Sequence, residues 1–426
     1  MYKYSWLIAF LLAGCNSSSS DQNPLPVSYQ SLKTTDFNED TSDLSSFVST
    51  VKGYDMVGLG ESSHQGKKTF SYRARMLKAL HEQGDLDFIA MESGLYDGLT
   101  AWHNYLTGKQ SFIDAVTGPD ANYLFMYRLS ADLAPLFNYV NNVDQNDNPL
   151  LLVAYDARIN SDPGCSVMFD ELEMYLTEQH LLLDEFATIK AISPRMMCPW
   201  SFEQKYVQSD HDLLISALVK LETLLAQQKQ REIVPLYDHQ NPRDFRHYAS
   251  FWLQIAKSLQ AHANTNLNNL NHVYADFQSA DNIRWLREEW FNVKGQTAVW
   301  GHNIHATPLD NSVIDATQTR YPDVSIYSVM DITHSGYRAP FTSDTTKWAT
   351  DVENIVTTKG TVNHRLFESG LPDSFIDLTG LNNDEKVYFE SIQKITPYTG
   401  TLQVAAPSSL MDGILFIPVE EPTVAR

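Results

Sequence analysis

Residues 55–66 read Asp-Met-Val-Gly-Leu-Gly-Glu-Ser-Ser-His-Gln-Gly, and together with the segment up to Glu92 they narrow the fold sharply. Met56 to Leu59 is a short apolar run of the kind that forms a buried strand. Gly58 and Gly60 let the backbone turn sharply. Phe70, Ala74, Leu77 and Leu80 then recur at helical spacing, and Gly84 supplies a stop. A second apolar run, Phe88 to Met91, ends in Glu92. Strand, polar turn, helix and strand predict an α/β fold, with a mostly parallel central sheet flanked by helices. Groups that follow the strands of such a sheet gather at its carboxyl edge, where ligands bind. Glu61, His64 and Glu92 therefore fall where protons can be moved on a substrate.

The pattern recurs. Leu95, Leu99, Trp102 and Leu106 make one helical stripe, and Leu129, Leu133, Leu136 and Val140 the next. Leu150 to Ala154 is a strong strand signal ending in Tyr155-Asp156, and Thr297 to Trp300 is another, ending in Gly301-His302-Asn303-Ile304-His305. Val324 to Met330 runs into Asp331, and Ser374 to Leu378 and Ile414 to Ile417 predict later strands. Between Val167 and Phe291 strand signals stop and helical runs succeed one another, for example Phe245, Tyr248, Trp252, Ile255 and Leu259. The expectation is one α/β domain over 28–426 carrying a large all-helical insertion at about 166–292.

The formal net charge of −21 argues against nucleic acid or an anionic membrane surface as a partner. At the N-terminus, Lys3 precedes the apolar run Trp6 to Leu12, which is too short to span a bilayer as a helix. Leu12-Ala13-Gly14-Cys15 resembles a bacterial lipobox. It predicts a signal peptide over 1–14, lipid attachment at Cys15 and a Ser- and Pro-rich flexible tether over 15–27. The chain would then be a membrane-anchored lipoprotein. In a cell with an outer membrane, Asn16 in place of the retention Asp implies sorting to that membrane, facing the periplasm or the cell surface. The alternative is a plain signal peptide with an incidental cysteine. Of the three cysteines, Cys165 and Cys198 remain as an even pair for an oxidising compartment, and a disulfide is the simple reading. Two buried free thiols are the alternative.

Four strand ends thus present Glu61/His64, Glu92, Asp156 and His302/His305. Any one of them alone reads equally well as a helix cap or a structural histidine; their coincidence at one sheet edge points to a site. Three chemistries are open. Histidine can take a proton from water while a carboxylate orients its ring. His64, His302, His305 and the carboxylates are also suitable ligands for zinc or manganese. Ser62 or Ser63 as nucleophile is the weakest, because Gly-Glu-Ser-Ser-His lacks the second glycine of a Gly-x-Ser-x-Gly elbow. No phosphate-cradling loop or dinucleotide fingerprint is present. A non-catalytic binding lipoprotein that keeps the cleft is the alternative outside enzymology.

These motifs, in this order, resemble the erythromycin esterase family. Gly58-Leu59-Gly60-Glu61-Ser62-Ser63-His64 is similar to its Gly-Leu-Gly-Glu-x-Thr/Ser-His signature, and Glu92 to its second-strand glutamate. Ala154-Tyr155-Asp156, the stretch Ser279 to Leu286, Gly301-His302-Asn303-Ile304-His305 and Asp412 to Phe416 match further family elements. The resemblance implies hydrolysis of a small-molecule ester or lactone by water activated on His64, with no metal or cofactor required. Glu61, Glu92, His302 and His305 would orient that base or bind developing charge, and Asp156, Arg75 and Asn303 would hold substrate. The sequence departs from the family where His64 is followed by Gln65-Gly66-Lys67-Lys68-Thr69-Phe70, with Lys or Thr in place of the family's acidic residue before Phe. Ser279 replaces the family's Met, and the arginine that often precedes it is absent.

Overall fold

A computed structural model of the chain describes residues 27–117, 124–145, 147–268 and 273–426. The expected leader, lipidation site Cys15 and all of the tether but Val27 lie outside them. Val27 itself is buried in a hydrophobic cluster.

The strands are β1 (Gln30–Ser31), β2 (Met56–Glu61), β3 (Leu86–Gly94), β4 (Leu151–Asp156), β5 (Gln296–His302), β6 (Ile326–Arg338), β7 (Glu353–Asn354), β8 (Ser374–Asp377) and β9 (Gly413–Glu420). They form one sheet in the order β1-β8-β9-β6-β2-β5-β3-β4, with β7 paired to β6. The six strands from β9 to β4 pair in parallel; at one edge β8 pairs antiparallel with β9, and β1 antiparallel with β8. The α/β expectation holds, and the reason is visible in burial. Every residue of β2, β4 and β5 is buried, as continuous apolar runs covered on both faces require.

Strand order places β2 in the middle, between β5 and β6, and register puts Glu61 beside His302. The ladder between β3 and β4 slips between Met91 and Gly94, an irregularity that re-aims Glu92 and Ser93 at the carboxyl edge. β6 is longer than its apolar run. It continues through Asp331-Ile332-Thr333-His334-Ser335 to Arg338, because β9 pairs with it as far as Gly336.

Between β4 and β5 the described residues hold helices and no strand. Helix Val273–Arg284 docks on β4: Asn282 donates to the Tyr155 carbonyl (3.1 Å), and Ser279 donates to Asp156 (3.2 Å) and accepts from the Ala157 amide (3.0 Å). Apolar residues of the insertion and of the sheet belong to one continuous core.

Cys165 and Cys198 form a disulfide within the insertion, 33 residues apart. Reduction is expected to lower unfolding free energy by about 3–4 kcal/mol on the chain-entropy account. Denaturant midpoints with and without reductant check this, and an unchanged midpoint would refute it.

Candidate active site

Glu61, the last residue of β2, is fully buried and carries three donors. Trp300 Nε1 donates to Oε2 (2.9 Å), and the Tyr127 hydroxyl donates to Oε1 (3.1 Å). The third is His64, whose Nδ1 lies 2.5 Å from Oε1. A carboxylate held this way fixes the Nδ1–H tautomer of His64 and leaves the Nε2 lone pair for a substrate or water. Nε2 has no hydrogen-bond partner among the described residues, and the His64 side chain keeps 17% exposure. Burial draws the imidazole pKa down, but the charges of Glu92 and Glu61 outweigh it, and the pKa ends above the ordinary value of 6.5. Burial and the same two carboxylates push the Tyr127 hydroxyl far up, so it stays a donor.

A second cluster faces this dyad. Glu92 Oε2 accepts from the His302 amide (2.6 Å), and Glu92 Oε1 lies 3.6 Å from His305 Nε2. His305 Nδ1 is 2.6 Å from Asp276 Oδ2. Asp276 in turn pairs with Arg158, which also donates to Asp156 (2.9 Å). Burial draws the His305 imidazole down to about 4, against the pull of Glu92. His302 sits with its ring 5.0 Å from that of His64. Its Nδ1 accepts the Ile304 amide (3.4 Å), which leaves the ring proton on Nε2. Gly301 makes room for this cluster: a methyl there would come 2.7 Å from both Glu92 Oε2 and the Tyr155 hydroxyl.

A cavity of about 600 Å³ opens beside the dyad. Phe125 and Phe341 line it and also pack on the His64 ring, at 5.9 and 5.5 Å. Ser93, Asp97, Arg128 and Trp200 line it further out. Burial raises the Asp97 carboxyl to about 8, and Ser161 donates to it. Trp200 follows Cys198 by two residues, so the disulfide ties this rim to the stretch around Ser161.

The structure thus brings together His64, Glu61, Glu92, His302, His305 and Asp156. It does not bring Arg75 or Asn303 to the substrate side. Arg75 is fully buried on another face of its helix, donating to both oxygens of Asp43 (3.0 and 2.8 Å) and to the carbonyls of Thr34 and Asp40. Asn303 is spent within the sheet edge: its Nδ2 donates to the carbonyls of Asp331 (2.7 Å) and Pro397 (2.5 Å), and its Oδ1 accepts the Asp331 amide. Ser62 Oγ binds Asp331 and Thr333, and Ser63 Oγ accepts from the Gln65 amide; neither contacts His64 Nε2. Among the described residues, no group of three or more His, Cys, Asp or Glu is arranged to hold a metal ion.

Four members of the site escaped sequence reading. Tyr127 and Trp300 sit in apolar patterns and read as core, although a buried Trp N–H or Tyr O–H calls for a polar partner. Asp276 lies one helical turn before Ser279 on the same buried face, a spacing that could have flagged it. Arg158 follows Asp156 by two and supplies the guanidinium that the sequence lacks before Ser279.

No protein-family model matches the chain. The Bacillus subtilis (strain 168) protein named "Putative hydrolase YbfO" is 22% identical over 299 residues, which is 68% of this chain. The match spans 65% of that protein, a little under two thirds of its length. A Bacillus cereus protein of solved structure aligns with TM-score 0.70 at 16% identity, over 93% of this chain and 96% of the other. A solved succinoglycan biosynthesis protein aligns with TM-score 0.68 at 16% identity, over 93% and 95%. A mutant of erythromycin esterase EreC in its open conformation aligns with TM-score 0.64 at 13% identity, over 92% and 98%. The chain therefore has the fold of the erythromycin esterases along nearly its whole length, and the resemblance seen in its motifs holds at the level of architecture.

Proposed function

We propose that this chain is a hydrolase that cleaves an ester or lactone with water activated by His64. The observation that carries the reading is the Glu61–His64 pair, with Nδ1 locked on a buried carboxylate and the imidazole packed against Phe125 and Phe341, which line a cavity of about 600 Å³. Water on Nε2 loses its proton to the imidazole as it attacks the acyl carbon. Glu61 stabilises the imidazolium so formed, and in this reading His302, whose ring lies 5.0 Å from that of His64, meets the oxyanion. The proton on His64 then passes to the leaving alkoxide. The names of a hydrolase and an esterase among its relatives support the same class. A panel of simple esters, lactones and macrolides, assayed with and without chelator, tests it. Turnover that survives chelator is the expected result; turnover lost to chelator and restored by metal would overturn the water-on-histidine step.

We infer from Leu12-Ala13-Gly14-Cys15 that the protein is anchored through lipid on Cys15 with its domain outside the inner membrane. Labelled fatty acid is expected to enter the wild-type protein and not Cys15→Ser; equal labelling, or none in either, would refute this. Among the described residues no helix is long and apolar enough to cross a membrane.

A further inference from the structure

Behind the His64 turn lies a second pair of buried carboxyls that the mechanism does not use. Asp331 on β6 is fully buried, and Glu420 at the end of β9 is 1% exposed. One hydroxyl, that of Thr69, lies between them, 2.7 Å from Asp331 Oδ2 and 2.6 Å from Glu420 Oε2. Both contacts are at the short end of the O–H···O range. A hydroxyl has one proton to donate and lone pairs to accept with. If it donates to one carboxyl, the other contact needs a proton from the carboxyl side. The other partners of Glu420 are backbone amides, which only donate, whereas Asp331 also meets two hydroxyls, that of Ser62 at Oδ2 and that of Thr333 at Oδ1 (3.4 Å). Asp331 Oδ2 receives the Ser62 amide (3.2 Å) and hydroxyl (3.1 Å), and Glu420 receives the amides of Lys68, Thr69 and Glu421 (2.7, 3.0 and 2.9 Å).

The charges around the pair agree with this count. Arg73 is the buried cation beside Asp331, and it also faces Glu61; its guanidinium donates to the carbonyls of Gly60 and Val329. Lys67 and Lys68 lie outside, paired with Glu421 and Asp373. One buried positive charge thus faces both Glu61 and Asp331. Burial raises both Asp331 and Glu420, the latter to about 7.

Each carboxyl also grips one end of the turn that bears His64. Asp331 holds Ser62, and Glu420 packs under Gly66, where a methyl would come 2.5 Å from Oε2. We propose that Asp331 and Glu420 share one proton across Thr69, and that this proton fastens the turn carrying His64, which makes Glu420 a positioning residue for the base. The positioning role rests on the reading of His64 as that base. Loss of the proton sets two like charges against each other across a single hydroxyl, and the turn loosens.

The test uses the full-length chain, comparing wild type, Glu420→Gln and Glu420→Ala. Infrared difference spectra between about pH 6 and about pH 8 are expected to show a protonated-carboxyl band in wild type. Glu420→Gln removes that component, while the band from Asp97 stays. The nitrogen resonances of His64, followed by NMR without any substrate, are expected to show a second inflection near the pH at which the band fades, absent in Glu420→Gln. For catalysis, Glu420→Gln is expected to stay within about threefold of wild type near pH 6 and to extend activity to higher pH, while Glu420→Ala loses about tenfold or more. A band that survives Glu420→Gln would overturn the shared proton. A band that is lost while the His64 titration is unchanged would overturn the positioning role. Absence of any turnover in wild type would count against the hydrolase reading alone, because the infrared and NMR arms still decide this one.

Discussion

Replacing His64 by alanine is expected to lower kcat by about 10²–10⁴-fold, the span usual for loss of a general base. The fold should survive. His64 sits at a turn and is partly exposed, so its removal leaves no closed cavity in the core. The buried Glu61 it abandons still accepts from Trp300 and Tyr127, so no carboxylate is left without partners. Circular dichroism and the thermal midpoint should therefore stay close to wild type while turnover collapses. The pH profile adds an independent check. A base must be unprotonated to act, so kcat/KM rises as pH passes upward through the His64 pKa, which lies above 6.5. A His64→Ala enzyme of near-normal kcat, or a wild-type profile flat from about pH 5 to 8, would remove His64 from the chemistry.

Much of this site could be read in the sequence because each group lies within a few residues of an apolar run. Glu61, Asp156 and His302 end three strands and Glu92 lies two residues from the end of a fourth; the four pair side by side, and parallel pairing carries their ends to one edge. The failures have a common cause, which is that spacing gives a residue's element but not its direction. Arg73 and Arg75 lie on one helix, two positions and about 200° apart. One guanidinium lies under the site and the other is bound to Asp43 across the molecule. Asn303 directly follows His302, yet the chain has already entered a short helical turn that sends its amide back to the Asp331 backbone. Tyr127 reaches Glu61 from 66 residues away through a short 3-10 turn, a contact with no local signal. Glu420 was hidden because Pro418 breaks the apolar run, although β9 continues past it to pair with Gly336.

The departure after His64 takes on a physical meaning in this light. The resemblance leads one to expect a carboxylate on the helix near Thr69, and the chain has Lys67-Lys68-Thr69 there. Lys67 and Lys68 point outward to Glu421 and Asp373, while the position facing inward is Thr69. Its hydroxyl meets a carboxylate delivered from β9 instead. A carboxyl group thus lies beneath the His64 turn of this chain, supplied by β9.

Glu61→Gln is the sharper test of how the base is held, and its expected loss in kcat is again about 10²–10⁴-fold. The glutamine is nearly the same size, so packing is not the issue; the hydrogen-bond directions are. Glu61 accepts from Trp300 on one oxygen and from both Tyr127 and His64 on the other. An amide offers one acceptor and one donor group. If its NH2 faces Trp300, two donors oppose each other in a buried pocket. If its NH2 faces His64, Nδ1 must become the acceptor, and the proton moves to Nε2, where the base needs a lone pair. Either arrangement disables the dyad without emptying the site. The variant also removes one of the negative charges that raise the His64 pKa, so the acid limb of kcat/KM should move to lower pH. A damaged fold would lower activity at every pH without moving that limb. Full activity in Glu61→Gln, or a limb that stays in place, would show that Glu61 does not set the tautomer or the charge of His64.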